Sequence, residues 1–227
     1  MNNITEYLLD FTNELAKEGY SIVKAGVKTF YKAKGELAAY TIDNYMNTRF
    51  EIRLEDFEYE QEKLSQEAKK NFYKNIDAKQ LNFLFELLER ARTSTYDLHA
   101  KILARLYGNL VSKGKLDYHE STLLSNINIM NDEDFFKFYS LLDDFFEKKS
   151  IDIDNMIMKQ ECLEFEIGSY TDLYIYDKLL RVGLISKTNI FDAGNLTASG
   201  EVKLFYIHNF SQEMYILLKE ILDNSCE

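Results

Sequence analysis

Apolar residues recur three or four positions apart along most of this chain, the signature of amphipathic helices. Ile4, Leu8, Phe11 and Leu15 form one such stripe over residues 4–17, and Gly19 interrupts it. Residues 20–34 predict a second helix, with Val23, Val27, Phe30 and Tyr31 on one side and Lys24, Lys28 and Lys32 four apart on another. From about residue 36 to residue 76 runs one long pattern, in which Phe50, Leu54, Phe57, Leu64, Ala68 and Phe72 form a short heptad-like seam. Gln61 fills the seam position skipped between Phe57 and Leu64, and Glu51, Glu55, Glu58 and Glu62 stand outside it. The pattern predicts a long helix whose Phe50, Leu54, Phe57 and Leu64 pack on the body of the protein or on another copy.

Asp77 and Gln80 are spaced as a capping box, opening a helix with Leu81, Leu84, Phe85 and Leu88 inward. Thr93-Ser94-Thr95 reads as a break. Leu98, Ile102, Leu106 and Leu110 then make a four-residue ladder, with Gly114 as its stop. A short helix is expected over 119–129. The strongest helix signal covers 132–148. There Asn131 stands at the cap, Asp132, Glu133 and Asp134 lie at the positive end of the helix dipole, and Lys148 and Lys149 lie at the negative end. Its inward face is Phe135, Phe138, Tyr139, Leu142, Phe145 and Phe146.

The last third changes character. Residues 171–182 predict a helix ended by Gly183-Leu184-Ile185. Asn189-Ile190-Phe191 suggests a strand, Gly194-Asn195 a turn, Thr197 the cap of another helix, and 211–222 a final helix. Helix, small hairpin, helix is the order of a winged-helix-like unit. The expected fold is therefore mainly α: a multi-helix bundle with long N-terminal helices and a small C-terminal winged-helix-like unit carrying a short β-hairpin. The pattern suggests three segments, 1–76, 77–150 and 151–227.

Composition agrees with long helices. The 227 residues include no proline, where about 11 would be usual at about 5% usage, so nothing breaks a helix interior through a missing N–H. There is no tryptophan, and 16 Phe and 16 Tyr supply the aromatic core. Net charge is −11 and is spread as −2, −6 and −3 over the three segments 1–76, 77–168 and 169–227. No segment is basic, which disfavours a protein that coats nucleic acid. The winged-helix-like stretch is itself neutral, with Lys178, Arg181, Lys187 and Lys203 against Asp172, Asp177, Asp192 and Glu201. A recognition helix needs several Lys or Arg for phosphates and base edges.

A resemblance enters on two stretches. Phe85-Glu86-Leu87-Leu88 through Ala104-Arg105-Leu106-Tyr107-Gly108-Asn109-Leu110 is one. Leu179-Leu180-Arg181-Val182-Gly183-Leu184-Ile185 with Leu196-Thr197-Ala198-Ser199-Gly200-Glu201 is the other. Together, over residues 77–208, they resemble bacterial and prophage accessory proteins of the abortive-infection alpha type. That resemblance implies a helical protein ending in a winged helix, with a place in phage defence. It carries over no catalytic residue.

Several chemistries can be weighed from spacing. Arg92 followed by His99 at a helix start resembles the HEPN ribonuclease motif, with His99 as general acid or base and Arg92 steadying phosphate charge. Thr93 departs from the polar Asn, Asp or His that usually follows that arginine. Gly108 and Gly114-Lys115 lack the spacing and the following Ser or Thr of a phosphate loop. Asp152 and Asp154 begin like a calcium loop, but Met156 stands at the third ligand position. Cys162 and Cys226 form no metal pattern, and His99, His119 and His208 are scattered. No metal, cofactor or small-molecule ligand is expected.

The sequence thus points first to a cytoplasmic, non-enzymatic adaptor or regulator acting through protein contacts or self-association, with the seam and the C-terminal unit as its surfaces. The alternatives are a HEPN-like ribonuclease or toxin using Arg92 and His99, and a peripheral membrane effector whose Lys24, Lys28 and Lys32 face anionic lipid.

Overall fold

The structure, a computed structural model, describes residues 13–14, 21, 41–149, 153–159, 162–188, 196–197 and 200–224. Lys24, Lys28 and Lys32, the strand expected at 189–191, the Gly194-Asn195 turn and Cys226 lie outside the described residues. The elements in chain order are α1 (Thr41–Glu62), α2 (Gln66–Asn75), α3 (Ala78–Thr93), α4 (Asp97–Lys113) and α5 (Tyr118–Asn126). A 3₁₀ turn (Ile127–Ile129), α6 (Asp132–Lys149) and α7 (Ile153–Lys159) follow. Then come β1 (Cys162–Ile167), α8 (Tyr170–Arg181), β2 (Ser186–Lys187), β3 (Leu196–Thr197), β4 (Gly200–Tyr206) and α9 (Asn209–Asn224). The protein is mainly helical with a small antiparallel sheet. Among the described residues no helix is long and apolar enough to cross a membrane.

The chain divides into two compact units, Met1–Leu116 and Asp117–Glu227, whereas the sequence pattern suggests boundaries after 76 and 150. The reason lies in the packing of the first unit. α1 packs on α3 and α4, and α2 packs on α4, so the segments on either side of residue 76 share one core.

In the first unit, the helix expected to run unbroken to residue 76 is interrupted at Lys63–Ser65. Ser65 accepts from the Ala68 backbone N–H and so restarts the chain as α2. The seam residues Phe50, Leu54 and Phe57 are buried within the unit, while Leu64 is half-buried at the break. They are core, not a surface for another copy, because α3 and α4 present Leu84, Leu88, Ile102 and Leu106 to be covered. Gln61 stands at the skipped seam position because it is buried as an acceptor, taking hydrogen bonds from the hydroxyls of Tyr107 and Tyr73. The capping box of Asp77 and Gln80 forms with both bonds at 2.8 Å. Gly114 ends α4 at φ +70°, a left-handed position that costs a residue with a Cβ about 1 kcal/mol or more.

In the second unit Asn131 caps α6 as expected, accepting from the Asp134 N–H at 2.8 Å, and the Asp134 carboxylate accepts in turn from the Asn131 N–H at 2.8 Å. Phe135, Phe138 and Leu142 are buried, and Tyr139 stacks on Tyr215 of α9 at 5.3 Å. The sheet corrects the sequence reading. Residues 200–206 form β4 and not a helix capped by Thr197, and Leu196–Thr197 pairs back on Gly200–Glu201 as the start of a hairpin. β1 answers no expected element. It lies antiparallel along β4 from Cys162↔Tyr206 to Ile167↔Glu201, and β2 takes the other side of β4 at Tyr206 and Phe205. The cause is a period of two. In Leu163-Glu164-Phe165-Glu166 the apolar side chains are buried and the carboxylates exposed. Phe165 packs on Tyr176 of α8, whose hydroxyl donates to the Leu204 carbonyl at 3.1 Å.

Candidate functional site

The turn from α3 to α4 carries the Arg92 and His99 of the ribonuclease reading, and each has local partners there. Arg92 lies in the last turn of α3 and is held by Glu89, with Nε to Oε2 at 2.9 Å. His99 is 1% exposed, its Nδ1 lies 3.0 Å from the Ser94 hydroxyl, and its ring packs on Tyr96 at 5.1 Å. A general acid or base must reach a substrate proton directly or through one water. The contacts His99 makes with Ser94 and Tyr96 lie at the start of α4.

The residues that do converge at this turn went unread in the sequence. Arg53 of α1 is 2% exposed and donates to the carbonyls of Ala91 at 2.6 Å, Ser94 at 2.8 Å and Tyr96 at 3.3 Å. Nη1 makes the first two of these bonds; Nη2 makes the Tyr96 bond and also donates to Asp97 Oδ1 at 2.9 Å, and Arg49 donates to the same oxygen at 2.8 Å. Burial pulls the Asp97 carboxyl up, but the hydrogen bonds from Arg49 and Arg53 outweigh it and hold the group below the usual carboxylate range. Asp56, one turn along α1 from Arg53, is pushed up to about 6. Burial is the largest cause, Lys101 opposes it, and the charges of Asp97 and Glu55 add to it. The arginines are committed to carbonyls and to a carboxylate, so the cluster ties the end of α3 to α1 and is not an open anion site.

A second cluster lies in the other unit. His119 and His208 stack at 3.6 Å with 24° between their planes. His208 precedes α9 and accepts from the Ser211 N–H through Nδ1 at 3.4 Å, while the Ser211 hydroxyl accepts from the His208 N–H at 3.0 Å. The imidazole serves as an N-cap. Burial, and then the neighbouring His119, lower its pKa to about 4, against opposing contributions from the Gly183 backbone and Asp117. Stacked rings direct their lone pairs side by side and not at one point, so the pair is no chelate. Among the described residues no group of three His, Cys, Asp or Glu is placed to hold a metal.

A groove of about 510 Å³ between α6 and β1 has the form of a binding surface. Lys137, Ser140, Asp144 and Phe145 line it from α6, and Glu164, Phe165 and Glu166 from β1, with Asp172 of α8 at one end. Three consecutive strand residues, Glu164, Phe165 and Glu166, line it, so the groove follows β1 along part of its length. Among the described residues β4 is the strand paired with β1, and β1 stands at the end of the strand order. Among the described residues the lining holds the carboxylates of Asp144, Glu164, Glu166 and Asp172 and the ammonium of Lys137. That ammonium, Lys137 Nζ, lies 3.9 Å from Asp172, whose Oδ2 also accepts from the Ser169 hydroxyl at 2.8 Å. Tyr170 and Tyr174 of α8 are 93% and 64% exposed, and Lys178 bridges Tyr174 and Asp134 of α6 at 4.8 and 2.6 Å. The alternation at 163–166 is the sequence signal that would have located this site. Compared with protein-family models, curated proteins and solved structures, the chain matches none.

Proposed function

We propose that this protein is a non-enzymatic adaptor that works through protein contacts made at the groove between α6 and β1. The observation that carries the reading is a six-residue strand with no strand partner on its outer edge among the described residues, bordered by a groove large enough to take a chain segment. An open strand edge is a template for pairing with another chain. On this reading the strand–helix–strand–hairpin order of the second unit is a winged-helix-like module used for protein contact. Its carboxylates at 144, 164, 166 and 172 would repel nucleic-acid phosphate. The setting, taken from the sequence resemblance, is a bacterial or prophage defence system.

A photo-crosslinking amino acid placed at Ser140, inside the groove, tests the proposal in the native cell. The expected result is one polypeptide, identifiable by mass spectrometry, that crosslinks at Ser140 but not at the exposed Tyr118. The same polypeptide, purified, should crosslink again in isolation. Equal labelling from both positions, or none from Ser140, would refute the groove as the contact surface.

A further inference from the structure

We infer that the occupant of the groove is an extended peptide segment with Lys or Arg at alternate positions, added to the sheet as a strand beside β1. The inference rests on the contact reading above and gives it a partner chemistry.

Natural edge strands are commonly guarded by charged side chains, above all lysine, by proline or by a bulge. β1, Cys162-Leu163-Glu164-Phe165-Glu166-Ile167, has neither lysine nor proline, and its register with β4 runs residue for residue without a bulge. It carries instead two exposed glutamates, two residues apart on one face. Like charges opposite one another across a strand pair are destabilising. A second copy of β1 laid antiparallel on the first would set glutamate against glutamate, which argues against self-pairing. The same two carboxylates favour a strand of opposite charge.

The period of that strand follows from the pleat. Residues directly opposite Glu164 and Glu166 on an added strand project to the same face as those glutamates and are themselves two apart. The residue between them lies opposite Phe165, which is buried, so that position needs no charge. Asp144 of α6 and Asp172 of α8 extend the acidic lining beyond the strand. The recognised pattern is therefore basic–x–basic in extended conformation, which main-chain hydrogen bonds hold and the carboxylates select.

Fluorescence anisotropy on the full chain tests this with four labelled ten-residue peptides. One alternates Lys and Thr. The second has the same composition with its lysines in one block. The third is the alternating peptide N-methylated at every second residue. The fourth replaces Lys by Glu. The alternating peptide is expected to bind about tenfold or more tighter than the block and the N-methylated peptides, since each lost backbone bond weakens binding. The Glu peptide is expected not to bind. In Glu164→Gln/Glu166→Gln, which keeps size and removes charge at exposed positions, the alternating peptide is expected to lose about tenfold, with unchanged circular dichroism. Equal binding of the alternating, block and N-methylated peptides would mean charge attraction without strand addition. That would overturn the inference and leave the contact reading standing. No binding of any basic peptide would overturn it as well, and the Ser140 crosslink would then decide the contact reading separately.

Discussion

Replacing Arg53 by methionine should destabilise the first unit far more than breaking the ion pair in which Arg53 takes part. The guanidinium is buried and donates to the carbonyls of Ala91 and Ser94 at 2.6 and 2.8 Å, at and just beyond the C-terminal end of α3. Carbonyls at a helix end have no partner within the helix. Hydrogen bonds with a charged member contribute roughly 1.5–3 kcal/mol each, and a buried acceptor left empty keeps its desolvation cost. The two together, allowing for non-additivity, put Arg53→Met at about 3–5 kcal/mol. Asp97 is different, because its side chain is 74% exposed and water can replace the arginines. Asp97→Asn is expected to cost about 1 kcal/mol or less, including its small effect on the first turn of α4. Urea unfolding followed by circular dichroism at pH 7 gives both values, provided the slopes agree. If Arg53→Met fell within about 1 kcal/mol of wild type, or if Asp97→Asn matched it, the carbonyl-capping account would be wrong and the ion pair would be the main tie.

Two pH effects should separate by variant. Asp56 has a folded value of about 6 against an ordinary 3.8. The folded state keeps this proton longer, so the group lowers stability progressively as pH rises from about 4 to about 6. Asp56→Asn should remove that fall, and a difference in urea midpoint between wild type and variant that does not change from pH 4 to 6.5 would refute it. His208 runs the other way. Its folded value of about 4 lies below the ordinary 6.5, so its contribution is complete above pH 6.5 and is lost as pH drops toward 4. His208→Asn keeps a cap acceptor for Ser211 and should flatten this loss with little change at pH 7. His208→Ala should cost about 0.5–2 kcal/mol through the lost cap. The two effects oppose one another between pH 4 and 6, so the difference traces carry the test; equal stability of His208→Asn and His208→Ala at pH 7 would remove the capping role.

The elements written in local chemistry were legible before any coordinates. Asp77 with Gln80, Asn131, and Gly114 mark helix ends because a cap needs only neighbours three or four residues away. The inward faces of α3, α4 and α6 follow from a period of 3.6 sustained over several turns. β1 and β4 were missed because six or seven residues hold few repeats of a period of two, and Leu196-Thr197 before Gly200 imitates a helix start. The seam at Phe50, Leu54 and Phe57 was visible, but what covers an apolar stripe is a matter of neighbours, and here α3 and α4 cover it.

What this sequence determined by itself is its secondary structure where hydrogen bonds are local, and an acidic surface charge. Tertiary structure decided the rest. It buried Arg53 against carbonyls 38 and 41 residues away, withdrew His99 from solvent, and set β1 at the end of the strand order among the described residues. Each of these depends on which groups meet across long chain separations, and periodicity along the chain carries no record of such meetings.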